Sequence, residues 1–357
     1  MDTPAILDTN QTKQSVRGWK KPFFALTAVL LSLSALEAGS RLYLGLRPNA
    51  RWESGRSQAR MIGFPALNEL LTVDDRLFWK LKPNLNDYTV SGHIGVSLPI
   101  RFSVTTNDAG MRVMPVIESA QRRILFIGDS CTFGLGVENN QTFPAVIQEC
   151  LPGVQCVNAG VPGYTSFQGR IWLEQLPANP PFDTVVITFG FNDDLRWDNM
   201  SDLRHSELIA RERTQLLNQS RLLELMSSLM ARKAPKTAEA SERTRPRLNC
   251  KEFEQQILEI LEICRARGAR PILVIWPYTL QVLENGAATA KQRALRRIAA
   301  REHVELVDLT TVFKGREGAA LFIDSIHAGP HGNRLVAETL LPHLRRGLPE
   351  AVQSARP

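Results

Sequence analysis

The chain has no Cys-x-x-Cys pair, which argues against a thiolate zinc site. Gly134 and Gly136 lack the third glycine of the phosphate-cradling G-x-G-x-x-G turn, and no nucleotide fingerprint follows them. A G-x-S-x-G nucleophile elbow is also missing, because Thr132 stands where its second glycine belongs. No internal repeat is present. The net charge is +7, yet the basic residues are not gathered into a track. They alternate with acids in Arg204-Glu207-Arg211-Glu212-Arg213, the pattern of solvated helix faces, and no RNA- or DNA-binding signature accompanies them. Nucleic acid is therefore not an expected partner. The five cysteines leave the redox compartment open: Cys150 and Cys156 bracket a tight Leu-Pro-Gly-Val-Gln turn that a disulfide could close in an exported domain, and Cys264 falls on a helical core pattern.

What is present is a globular composition, 43% hydrophobic and 22% charged over 357 residues, enough for one large domain with accessory pieces. Lys13, Arg17, Lys20 and Lys21 lead into an apolar run from Pro22 to Leu36. The run is apolar nearly all round rather than along one stripe, which disfavours a buried helix. Snorkelling of Lys20, Lys21 and Arg41 extends it toward the roughly 20 residues of a membrane span. A cleaved signal peptide fits less well, because Leu36-Glu37-Ala38 and Leu33-Ser34-Ala35 each place leucine where a small side chain is wanted. The sequence thus predicts a cytoplasmic tail over 1–21 and a single-pass anchor over 22–42, with the main domain on the periplasmic or extracytoplasmic side. Arg41, Arg47, Arg51, Arg56 and Arg60 nearly balance the positive-inside count, so this orientation rests on keeping the short tail inside.

Residues 48–121 read as an irregular, strand-rich preface, with strands at Phe78–Asn84 and Ile100–Val104 and a turn at Asn107–Gly110. Over 122–350 strands and helices alternate, which implies a parallel sheet of about five strands with helices on both faces, a flavodoxin-like three-layer α/β sandwich. The strands are expected at Arg123–Ile127, Val154–Asn158, Thr184–Phe189, Pro271–Trp276 and Val304–Val307. The helices are expected at Thr142–Cys150, Ser166–Gln175, Glu252–Arg267, Ala287–Glu302 and Pro330–Arg346. An insertion at about 201–250 interrupts the alternation. It carries an apolar stripe (Leu216, Leu217, Leu222, Leu223, Met226, Leu229, Met230), read as packing, and then a polar linker from Lys233 to Arg247.

Four segments follow predicted strands: Gly128-Asp129-Ser130, Asn158-Ala159-Gly160, Gly190-Phe191-Asn192-Asp193 and Asp324-Ser325-Ile326-His327. Together, in this order, they make the chain resemble the SGNH/GDSL hydrolases from about Arg122 to Arg346. The resemblance implies a serine esterase in which Ser130 is the nucleophile, His327 the base and Asp324 the group that fixes the imidazole tautomer. It also implies an oxyanion hole built from the N–H groups of Ser130 and Gly160 and the Asn192 side chain. Asp129 and Asp193 are expected to brace their loops, and Cys131 to point into packing. Phe191, Leu195, Arg196 and Trp197 are candidate substrate contacts. No metal or organic cofactor is implied. The expected substrate is an O-acyl or O-acetyl ester on an envelope or exported glycan. An O-acyltransferase, a lipase or thioesterase using the leucine stripe as a lid, and a non-catalytic glycan-binding module are the rivals. The oligomeric state is not legible.

Overall fold

The computed structural model describes residues 11–46, 65–93, 99–196, 200–218, 222, 226, 245–314 and 318–346. The chain divides into two compact units, residues 1–53 with 210–239, and residues 54–209 with 240–357.

The first unit is dominated by α1 (Gln11–Leu46). Its segment Lys21–Leu42 has a mean hydropathy of 1.6 and is long and apolar enough to cross a membrane. Phe23, Phe24, Leu26, Leu30, Leu31 and Leu36 are all exposed, as they would be toward lipid rather than toward a protein core. The hydroxyls of Thr27, Ser32 and Ser40 donate back to the carbonyls of Phe23, Ala28 and Leu36, so these three are satisfied within the helix.

The second unit begins with two antiparallel hairpins. In one, β1 (Leu71–Asp74) pairs with β2 (Phe78–Leu81); in the other, β3 (Tyr88–His93) pairs with β4 (Pro99–Val104). Five parallel strands follow: β5 (Arg122–Gly128), β6 (Val154–Gly160), β7 (Thr184–Thr188), β8 (Arg270–Ile275) and β9 (Glu305–Asp308). Their spatial order, β6-β5-β7-β8-β9, is the 2-1-3-4-5 order of flavodoxin-like sheets. The strands lie on or within two residues of their predicted limits, because a strand buried on both faces is a nearly continuous apolar run.

The connections supply α2 (Ser130–Phe133), α3 (Phe143–Glu149), α4 (Ser166–Gln175), α5 (Phe191–Asp194), α6 (Asp202–Asn218), α7 (Cys250–Ala266), α8 (Thr279–Leu283), α9 (Ala290–Glu302), α10 (Leu309–Phe313), α11 (Gly318–Leu321) and α12 (Pro330–Arg345). Strand alternation divides the core. Leu125, Ile127, Val185, Ile187 and Leu273 face α4, α7, α9 and the hairpins, whereas Ile124, Phe126, Val186, Ile272 and Val274 face α3, α10 and α12. Helix α9 starts three residues later than predicted because Thr289 caps it: its hydroxyl accepts from Gln292 N while Gln292 Oε1 accepts from Thr289 N.

The five cysteines are free thiols, so the turn between Cys150 and Cys156 is not closed by a bridge. Side chains organise that region instead. On edge strand β6, Cys156 N–H donates to Gln148 Oε1 (2.8 Å) and Gln155 Nε2 donates to Cys156 O (2.8 Å). The end of the predicted linker differs from expectation. Arg247 is 1% exposed and pairs with Asp202 (2.8 Å), because the chain returns there to the body of the second unit. Leu223, Leu229 and Met230 of the leucine stripe and most of the linker lie outside the described residues.

Candidate functional site

Strands β5 and β7 flank the point where strand order reverses, and ligands of open α/β sheets bind beyond the carboxyl ends of such strands. Ser130 leaves β5 there. Asp129, in extended conformation, caps one-turn helix α2 by accepting from Cys131 N (2.9 Å), which turns the chain sharply and presents Ser130 at the first helical position. Asp324 and His327 come from the loop between α11 and α12. That loop is closed by a bridge between Phe322 and Ala328 and by Ile323 N donating to His327 O (2.7 Å). Trp276 Nε1 donates to Ile326 O (2.8 Å) and Thr279 N to Ser325 O (2.9 Å), so the β8–α8 connection buttresses it.

The structure brings Ser130, His327 and Asp324 into one line. Ser130 Oγ lies 2.8 Å from His327 Nε2, and His327 Nδ1 lies 2.6 Å from Asp324 Oδ2. Asp324 Oδ1 also accepts from the backbone N–H groups of Ile326 (2.9 Å) and His327 (2.7 Å). Burial alone would raise this carboxyl, but the hydrogen bonds and charge of His327 and the two amides outweigh it and hold it below its ordinary range. An ionised carboxylate only accepts, so Nδ1 carries the proton, which in a neutral imidazole leaves the lone pair on Nε2, facing the Ser130 hydroxyl.

Gly160 ends β6 against α2. A Cβ there would sit 2.3 Å from Phe133 N, so a side chain could not be placed without moving the helix that opens with Ser130. Gly190, with φ +140°, sets the turn into α5 and thereby places Asn192. Gly160 N–H donates to Asn158 Oδ1, and Asn192 Nδ2 donates to Asp129 Oδ2 and to Tyr164 O, each at 3.1 Å. Two of the three expected oxyanion donors thus hold protein acceptors. Asp193 Oδ1 accepts from Ser166 N and Oγ, and burial pushes its carboxyl up to about 6. Cys131 is buried behind the site with its thiol raised well above its ordinary value by burial, so it is a poor nucleophile.

Of the substrate-contact candidates, Phe191 is half-buried and meets Tyr278 edge-on at 5.5 Å. Leu195 packs against the core, Arg196 is exposed, and Trp197 lies outside the described residues. Among the described residues, no three His, Cys, Asp or Glu side chains form a metal-binding group.

Several supporting residues escaped the sequence reading. Arg247 donates to Gly163 O (2.7 Å), Gln168 Oε1 (2.6 Å) and Asp202, linking the Gly160 loop to the neck of the insertion. Lys291, buried on α9, donates to Leu248 O (2.8 Å) and pairs with Asp194 (3.3 Å), beside the Asn192 turn. Trp276 holds the histidine loop through Ile326 O, and Tyr278 stands against Phe191. The one local hint was a strand ending in Trp-Pro-Tyr, whereas the two cations looked like any others on solvated segments.

The sequence signature of the GDSL-like lipase/acylhydrolase family matches residues 126–335. Among solved structures, the chain is similar to TesA at 22% identity, covering 64% of this chain and 100% of TesA with a TM-score of 0.43. It is also similar to Axe2, an acetylxylan esterase from Geobacillus stearothermophilus, at 18% identity, with 65% and 96% of the two chains covered and a TM-score of 0.42. A third is the esterase EstA from Pseudoalteromonas sp., at 13% identity, with 63% and 98% covered and a TM-score of 0.42. No curated protein matches the sequence.

Proposed function

Because the chain belongs to the GDSL-like lipase/acylhydrolase family and is a serine hydrolase acting on esters, we propose that Ser130, His327 and Asp324 carry out that hydrolysis through an acyl-enzyme. The observation that carries this reading is the unbroken Ser130–His327–Asp324 line at 2.8 and 2.6 Å. Ser130 Oγ attacks the acyl carbon while its proton passes to His327 Nε2, and Asp324 stabilises the imidazolium that forms. The carbonyl electrons move onto oxygen, where the Ser130 and Gly160 amides and Asn192 Nδ2 receive them. His327 then returns the proton to the departing alcohol as the C–O bond breaks. Water, deprotonated by the same imidazole, adds to the acyl-enzyme, releasing the carboxylic acid and restoring Ser130.

The substrate is an O-acyl group, chiefly O-acetyl, on an envelope or exported glycan. What supports this is the apolar segment Lys21–Leu42, read as an anchor that keeps a short tail in the cytoplasm and holds the hydrolase on the extracytoplasmic side. Initial rates on p-nitrophenyl esters from acetyl to octanoyl, together with acetate released from O-acetylated polysaccharide, test the substrate. Acetyl is expected to be fastest, with acetate released; a preference for octanoyl with no acetate release would make the protein a lipase or thioesterase instead. Protease added outside spheroplasts is expected to degrade the hydrolase unit. Full protection while the membrane is intact, with digestion after lysis, would overturn the orientation.

A further inference from the structure

The segment ahead of the sheet reaches the site at two points. The first is Arg112, 2% exposed, whose guanidinium makes five hydrogen bonds. Nε donates to Asn139 Oδ1 (2.7 Å), Nη1 to Phe133 O (2.8 Å) and Gly134 O (2.7 Å), and Nη2 to Val137 O (2.6 Å) and Ser103 O (3.1 Å). All five acceptors are neutral. Burial pulls the guanidinium down to about 9, so it stays charged at neutral pH and is compensated by carbonyl dipoles, with Glu138 adding a weaker attraction. Phe133 and Gly134 close the single helical turn that opens with Ser130, and the N–H groups of Gly134 and Leu135 both donate to Ser130 O (3.0 Å). The backbone of Arg112 also bridges to Asn158, whose Oδ1 holds Gly160 N–H. At the second point, Trp79 Nε1 donates to Pro162 O (3.0 Å), and Tyr164 OH donates back to Trp79 O (2.8 Å), across the loop that follows Gly160.

We propose that Arg112 is a positioning residue for ester hydrolysis: it clamps the end of the nucleophile's helix and ties it to the strand that carries Gly160, fixing Ser130 Oγ against His327. The preface is therefore part of the catalytic unit and not an accessory to it. This rests on Ser130 being the nucleophile. Helix α2 has only four residues and little stability of its own, so its orientation is set by what grips its carbonyl end. Misplacing a reacting atom by about 1 Å can cost about 10²-fold in rate without weakening substrate binding.

The test uses the full chain in detergent and compares wild type with Arg112→Ala, Arg112→Lys, Asn139→Ala and Ser130→Ala on p-nitrophenyl acetate. Arg112→Ala is expected to lower kcat about 10²-fold with KM unchanged within about twofold. Millimolar ethylguanidinium should recover part of that kcat. Arg112→Lys should remain impaired, because an ammonium with three donors cannot serve five acceptors. Asn139→Ala, which removes one acceptor, should lower kcat about threefold at constant KM. A folded Arg112→Ala with wild-type kcat overturns the proposal. Should that variant fail to fold, wild-type kcat in Asn139→Ala overturns it. An active Ser130→Ala removes the nucleophile reading and this proposal together; an inactive Ser130→Ala beside fully active Arg112 and Asn139 variants removes this proposal alone.

Discussion

Ser130→Ala is expected to lower kcat on p-nitrophenyl acetate by about 10⁴–10⁶-fold, with KM changed only a few-fold. Alanine removes the atom that lies 2.8 Å from His327 Nε2 but leaves the His327–Asp324 pair and the proposed oxyanion donors in place. Substrate can still bind, and activated water attacks only slowly. Ser130 is buried and its two neighbours are tied together, Cys131 N–H donating to Asp129 Oδ1, so the exchange deletes one hydroxyl without disturbing the turn. Steady-state kinetics combined with fluorophosphonate labelling give the check. The wild type should be labelled and inactivated, and the variant should take no label. Retention of more than a tenth of the activity would remove Ser130 as the nucleophile.

Asp324→Asn is expected to cost about 10⁴-fold in kcat, although the side chain barely changes size. The loss comes from the tautomer. Asp324 Oδ1 accepts two backbone N–H groups, so an asparagine keeps its carbonyl oxygen there and turns its amide toward His327 Nδ1. An amide N–H can only donate, which makes Nδ1 the acceptor and moves the imidazole proton to Nε2. The ring then offers Ser130 a donor where the reaction needs a base. Thermal stability should fall little, because the loop's backbone bonds survive. Rates at several pH values, set beside the melting temperature, separate this from unfolding; a variant within tenfold of wild type would show that Asp324 does not set the tautomer.

The sheet and the blocks around it were legible because their signals are local. Five apolar runs and four short polar turns can be recognised within a few residues of chain, and the structure lines up Ser130, Asp324 and His327 from turns nearly two hundred residues apart. The supporting cations were not legible. Arg112 is buried because Phe133, Gly134, Val137, Ser103 and Asn139 turn oxygens toward it, and Arg247 because Asp202, 45 residues earlier, Gly163 and Gln168 come to meet it. In one dimension Arg247 closes a polar stretch and resembles the residues before it. Leu195 was a substrate candidate by its nearness to Asn192 in sequence; in the structure it is half-buried and packs against the core. The start of α9 was placed three residues early because the Thr289 cap overrides the apolar residues ahead of it, whereas the Thr165-capped start of α4 was legible.

Strand β6 is the outermost strand of the sheet, the edge at which crowded copies of the chain would meet. An outermost strand with free backbone groups is a template on which a second sheet can grow. At Cys156 such a template is spent: Gln148 occupies the amide, Gln155 occupies the carbonyl, and the bridge to Arg112 covers Asn158 just beyond. Crowded neighbours therefore meet glutamine amides at this edge rather than an open ladder, and the two glutamines guard against polymerisation without touching an ester.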